Sequence, residues 1–382
     1  MGGGGHLRRP LRGQAAGPAE RGVVPGVEGA PGCRVPRRGR LAEHPDPRDE
    51  QAGGRPADAR RDAHPFPRDG IVVPARVRKA SDRVVRYVEA GGVRVSVIGL
   101  GTWQFGSTEW GYGSTYATGV AGDIVRRALD LGINLIDTAE IYGLGRSERI
   151  VGEAIGGRRS DVFVATKLFP VGLPFMVRWR ARASARRLRV DHIELYQQHW
   201  ASPLFPPRAT MPRFRRLIDD GFVGHAGVSN HSLRQWQDCE DALGGPVLSN
   251  QVRFSLVSRE PDRELVPWAQ HNGRIVIAYS PLGQGLLSGR YEVSPPSNFR
   301  RFRSDFSAEA RARRVPLVAA LRDIAGRHRA KPGQVALAWL VNKPNVVAIP
   351  GASSVEQLEE NAAAADLSLS DDDVQRLDSL SA

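Results

Sequence analysis

Cysteine is close to absent from this chain: Cys33 and Cys239 are the only two. That excludes a disulfide framework and any zinc site built on several thiolates, and a reducing, cytoplasmic setting fits best. Long apolar runs are missing too. No stretch approaches the roughly 18 apolar residues of a membrane span, and the glycine-rich start lacks the apolar segment of a secretory signal. Met1-Gly2 opens like a myristoylation site, but His6 stands where Ser or Thr is needed. Asn230-His231-Ser232 matches a glycosylation sequon that a chain without a secretion signal does not expose to the machinery. No zinc-protease helix motif, P-loop or nucleophile elbow occurs, and the sequence points to no metal.

What is present is ordinary for a folded protein: 41% hydrophobic and 25% charged residues in 382. The formal net charge of +13 invites a nucleic-acid reading, but about half of the excess falls in the first 80 or so residues. Beyond them, arginine and acidic residues alternate as on solvated helix faces. Residues 1–81 are dense in Gly, Pro and Arg, have Phe66 as their only aromatic, and cannot bury enough surface to offset chain entropy. They are expected to form a disordered arm, or else to be an upstream stretch ahead of a true start near Val85; the sequence does not separate the two. With no aromatic residues interleaving its arginines, the arm gives base stacking little support. Neither a nucleic acid nor a membrane is expected as partner, and oligomeric state is not legible.

From residue 82 to 382 short β-branched runs alternate with amphipathic segments. Candidate strands are 96–100, 134–137, 162–167, 193–199, 226–229, 248–251, 275–279 and 346–350; helical patterns between them include 121–131, 147–155, 176–188, 233–243 and 355–365. Strand-then-helix order repeated in roughly 300 residues is the arithmetic of a closed (β/α)8 TIM barrel. A doubly wound open sheet would carry G-x-G-x-x-G after its first strand, and that fingerprint is missing. Gly283-Gln284-Gly285 follows the seventh strand instead, where a barrel places a phosphate site.

Reactive groups of such a barrel sit at the carboxyl ends of its strands. There the sequence puts Asp137 and Tyr142 after the second strand, Lys167 after the third and His199 after the fourth. Any one of these alone would more often be structural. Together they offer an acid, a phenol, an ammonium and an imidazole facing one another. Lys167 beside Tyr142 favours the phenolate, with Asp137 fixing the lysine. Moving a phenol from about 10 towards about 7 needs roughly 4 kcal/mol, within reach of one ammonium in a partly dry site. Tyr142 then becomes a general acid.

The order of these four, with I-D-T-A-E-I-Y-G-L-G-R-S-E at 136–148, G-L-G-T-W at 99–103, G-V-S-N at 227–230, N-Q-V at 250–252, A-Y-S-P-L at 278–282 and I-P-G-A-S-S-V-E-Q at 349–357, resembles the aldo-keto reductase family over residues 86–378. The branch it is most similar to includes bacterial reductases and potassium-channel β subunits. The resemblance implies an oxidoreductase that reduces aldehydes or ketones, with Asp137, Tyr142, Lys167 and His199 catalytic and Tyr142 as proton donor. It implies NADPH/NADP+ rather than NADH. Thr102, Trp103 and Asp137 would border the nicotinamide half; Ser229, Asn230 and Gln251 would hold the carboxamide, and Tyr279 would stack on the ring. Ser280, Pro281, Leu282, Gly283 and Gln284 would line the pyrophosphate, and Gly351, Ser353, Gln357, Glu360 and Asn361 the adenosine half, although Ser353 or Ser354 also reads as a helix N-cap. Arg290 and Arg300 could pair with a 2′-phosphate, since Gly351 stands where many reductases carry Lys. Trp103, Trp110 and Trp200, with Tyr142 and His199, would form the substrate pocket. A small carbonyl compound is the expected partner. A cofactor-binding, redox-sensing regulatory subunit with little turnover is the alternative.

Overall fold

The computed structural model describes residues 86–106, 119–291 and 303–381; residues 1–81, Trp110 and Arg300 lie outside this set. The described chain opens with an antiparallel hairpin, β1 (Tyr87–Ala90) and β2 (Val93–Ser96). Its two-residue turn is Gly91-Gly92, both with positive φ, the conformation that tight hairpins require. The hairpin packs against residues just before three barrel strands: the backbone N–H of Ser96 donates to Asn134, and Gly91 lies against Leu248 and Gly273.

Eight parallel strands follow in sequential order: β3 (Leu100–Gly101), β4 (Leu135–Asp137), β5 (Phe163–Leu168), β6 (Ile193–Gln198), β7 (Val223–Ser229), β8 (Ser249–Arg253), β9 (Ile275–Tyr279) and β10 (Val346–Ala348). The ring closes where Ile98 bridges to Ala348, with Gly99 N–H donating to Ala348 O at 2.8 Å and Ala348 N–H to Val97 O at 2.9 Å. This is the expected (β/α)8 barrel. The first expected strand, 96–100, splits: Ser96 ends the hairpin, and regular pairing with β4 begins only at Leu100.

Helices α1 (Val120–Asp130), α2 (Arg146–Ala154), α3 (Val177–Leu188), α4 (Pro207–Asp219), α5 (Leu233–Leu243), α6 (Leu265–His271), α7 (Ala308–Arg327), α8 (Pro332–Val341), α9 (Val355–Ala363) and α10 (Asp371–Leu380) accompany the strands. The sequon serine, Ser232, is the N-cap of α5 in a capping box with Gln235, which satisfies otherwise orphaned helix donors. Pairing in register places Lys167 opposite Gln197, Gln197 opposite Gly227, and Ser229 opposite Gln251. Because side chains alternate along a strand, residues two apart share a face, so Lys167, Gln197, Ser229 and Gln251 form one inward set. On the outward face of β5, buried Thr166 donates to Glu148 at 2.6 Å, and Arg187 of α3 donates to the other oxygen of that carboxylate at 2.6 Å. The motif residue Glu148 thereby ties strand, α2 and α3 together.

Candidate active site

A cavity of about 760 Å³ is lined by residues from the carboxyl ends of the strands. Asp137, Tyr142 and His199 line it together with Trp103 and Trp200. Lys167 is fully buried behind them. Its Nζ donates to both oxygens of Asp137 at 2.7 and 2.8 Å, to Thr138 O at 2.8 Å, and approaches the Tyr142 hydroxyl at 3.2 Å. Gln251 Nε2 donates to Asp137 Oδ1 at 2.7 Å. The carboxylate is thus held by two strands at once, and the ammonium that it anchors touches the phenol.

Burial pushes the Asp137 carboxyl up and the Lys167 ammonium down, and their direct contact opposes both shifts. Tyr142 departs from the sequence expectation. Its phenol is held well above the ordinary value, first by burial and then by the Asp137 and Tyr279 charges. Burial disfavours the charged phenolate and is the largest influence on it. The phenol therefore rests protonated.

His199 is pushed down to about 2 by burial and by Lys167, so its ring is neutral. Its Nδ1 is buried with no hydrogen-bond partner. The ring stacks on Trp200 with centroids 4.1 Å apart and planes 13° from parallel, and meets Tyr142 edge-on at 5.8 Å. Phe169 closes the same aromatic group, 5.7 Å from Trp200.

A second polar chain runs along the wall. Ser229 Oγ donates to Gln251 O at 2.9 Å, Asn230 Nδ2 to His199 O at 3.2 Å, and the Tyr279 hydroxyl to Asn230 Oδ1 at 2.9 Å. Ser280, Pro281, Leu282 and Gln284 continue the lining after β9. The loop curls tightly there: Ser280, Gly283, Gln284 and Gly285 all have positive φ, and a Cβ at Gly285 would stand 2.8 Å from the Tyr291 ring. Arg290, Gly351, Ser353, Gln357, Glu360 and Asn361 complete the lining. Ser354, rather than Ser353, caps α9, accepting from Gln357 N–H at 3.2 Å.

Two expected cofactor residues do not line this cavity. Thr102 is buried, its hydroxyl donating to Asp137 O at 2.8 Å and sharing a 2.7 Å contact with Ser147, so its side chain braces the strand end. Gly283 is buried in the turn with its Cα facing Val257. Conversely, Gln104, Arg253, Arg303 and Lys331 line the cavity without having been singled out. Arg303 lies just past Arg300 in one arginine-rich run, a signal that was available. Lys331 precedes a helix whose start borders α9 only in three dimensions.

The family model described as Aldo/keto reductase family matches residues 97–382. The chain belongs to the aldo/keto reductase family. This aldo/keto reductase is 56% identical over 289 residues to an uncharacterized oxidoreductase of Mycobacterium tuberculosis, covering 75% of this chain and 90% of that one. It is 33% identical over 291 residues to the methylglyoxal reductase of Escherichia coli, covering 76% and 92%. Among solved structures it superimposes on an aldo/keto reductase of Klebsiella pneumoniae in complex with NADP and acetate, with TM-score 0.65, 30% identity and coverage of 78% and 95%. The glycerol dehydrogenase of Gluconobacter oxydans gives TM-score 0.70 at 29% identity, covering 79% and 95%. This aldo/keto reductase is therefore an oxidoreductase, and none of its described helices is long and apolar enough to cross a membrane.

Proposed function

We propose that this protein reduces aldehydes or ketones to alcohols using NADPH, with Tyr142 as the proton donor. The observation that supports this most is the Asp137–Lys167–Tyr142 chain of contacts ending at the cavity wall beside a neutral His199. The cavity suits a dinucleotide: it runs from Tyr142 past the curled Ser280–Gly285 loop to Gln357 and Asn361, and Arg290, Arg303 and Lys331 line it, matching an elongated polyanion. The relative crystallised with NADP supports the same cofactor.

When bound, the nicotinamide supplies a hydride to the carbonyl carbon. Tyr142 gives its phenolic proton to the carbonyl oxygen as negative charge grows there, a general-acid step. Lys167, 3.2 Å away, stabilises the phenolate left behind, and Asp137 keeps that ammonium in place. His199 donates to the same oxygen and fixes the carbonyl's direction. Ser229, Asn230 and Gln251 would orient the carboxamide and Tyr279 would stack on the ring, all four lining the cavity. Trp103, Trp200 and Ile141, which line the cavity, keep the reacting end apolar and exclude water.

The test is NADPH oxidation, followed by absorbance, on wild type and Tyr142→Phe, with aromatic, aliphatic and dicarbonyl aldehydes. Turnover in the wild type that falls by about 10²–10⁴ in the variant, with cofactor affinity within twofold, is the expected result. Equal loss of affinity and turnover would refute the role of Tyr142. Tight cofactor binding with no turnover on any carbonyl would favour a redox-sensing subunit.

A further inference from the structure

The far end of the cavity poses a question of charge. Where many members of the resembled family carry a lysine directly after the eighth-strand proline, this chain has Gly351, and the Gln104 amide fills the space beside it, 2.5 Å from where a Cβ would stand. Gln104 holds that space through its own bond, Nε2 to Ala352 O at 2.9 Å. On α9, the residues facing the cavity are Gln357, Glu360 and Asn361, which bring one negative charge and no positive one. An adenosine 2′-phosphate would meet a carboxylate there unless a cation came from another element.

Among the described residues, the cation that pairs with α9's cavity-facing carboxylate is Lys331. It stands at the N-cap of α8, its backbone N–H donating to Gln334 Oε1 at 2.8 Å, and its Nζ pairs with Glu360 across the gap between α8 and α9. Gln334 locks the two helices in this relation by donating to Glu360 O at 2.9 Å. The other cations lining the cavity are otherwise placed. Arg253 is engaged with Asp305 at 2.7 Å, and Arg290 follows the curled loop after β9.

We infer that Lys331 is the residue that selects a 2′-phosphorylated dinucleotide, by leaving Glu360 for the phosphate. The pair it leaves is part-exposed, with side chains 63% and 38% accessible, and exposed pairs of this kind contribute little. A phosphate dianion offers an ammonium more charge than one carboxylate does. The exchange also changes what Glu360 can do: released from Lys331, its carboxylate becomes an acceptor for donors on the adenosine itself. A cofactor with a bare 2′-hydroxyl gives Lys331 no reason to move, and the Lys331–Glu360 pair then persists.

This inference rests on the proposed use of NADPH, and direct binding separates the two. Dissociation constants for NADPH and NADH would be measured by quenching of tryptophan fluorescence on the full-length wild type, Lys331→Met and Lys331→Arg. Expected are a loss of tenfold or more in NADPH affinity for Lys331→Met, NADH affinity unchanged, and retention of NADPH preference in Lys331→Arg. The preference of the wild type should also shrink with added salt, while that of Lys331→Met should not. NADPH affinity unchanged in Lys331→Met, or equal weakening of both cofactors, would overturn the assignment while leaving the reductase reading intact. A wild type that binds neither dinucleotide would overturn both.

Discussion

Replacing Lys167 by Met removes the cation on which the site is built and leaves the rest of the barrel in place. Asp137 then keeps Gln251 as a donor at 2.7 Å but loses two bonds from Nζ and the positive charge beside it. Removing one partner of a buried ion pair costs about 3–5 kcal/mol because the other is left uncompensated. At about 2–4 °C per kcal/mol for a domain of this general size, melting should fall by roughly 6–20 °C. The loss has a pH signature. Burial already raises the Asp137 carboxyl, and the two largest opposing influences both come from Lys167, so the variant's carboxyl is raised further. A carboxyl raised above its unfolded value binds its proton more tightly in the folded state, so it destabilises progressively as pH rises above the unfolded value of about 4 towards the folded one. The melting gap between wild type and Lys167→Met should therefore be wider at pH 7.5 than at pH 5, and Lys167→Met/Asp137→Asn should recover part of it. Thermal melts by circular dichroism at the two pH values decide the matter. A gap that is constant with pH, or a double variant weaker than the single one, would refute the reasoning.

Because His199 is held down at about 2, kcat/KM should show no inflection near 6.5 between pH 5 and 8; one that disappears in His199→Gln would show the ring to be titrating. With the Tyr142 phenol held above its ordinary value, reduction should not fall with rising pH through 8 from loss of the tyrosine proton, which pH–rate profiles would check. Gly152→Ala, a change that ordinarily favours a helix, should here destabilise by about 1–3 kcal/mol: its Cβ would stand 2.5 Å from Leu188 O, where α2 crosses the end of α3. Denaturant unfolding measures this, and a more stable variant would contradict the packing.

Much of the site was legible because a barrel strand delivers its chemistry at one end and on one face. Asp137, Tyr142 and His199 needed only strand ends and order, and the cavity gathers them. Two of the expected residues lie outside the cavity lining for identifiable reasons. Thr102 sits at a strand end like the others, yet its hydroxyl finds Asp137 O and Ser147 behind the wall. Gly283 was read from a glycine-rich string in which only the neighbours, Leu282 and Gln284, reach the cavity. The direction of the Tyr142 shift differs from the expectation because residue types reveal that a lysine is near a phenol, but not how deeply that phenol is buried.

The sequence by itself determined the (β/α)8 architecture, the family and the identity of the catalytic candidates, since these follow from periodicity, order and short motifs, all local along the chain. Tertiary structure alone decided that Nδ1 of His199 is buried without a partner, that burial raises the Tyr142 phenol, and that Lys331 meets Glu360 across 29 residues. Those outcomes depend on dielectric surroundings and on contacts between elements distant in sequence, and neither is written in the order of residues.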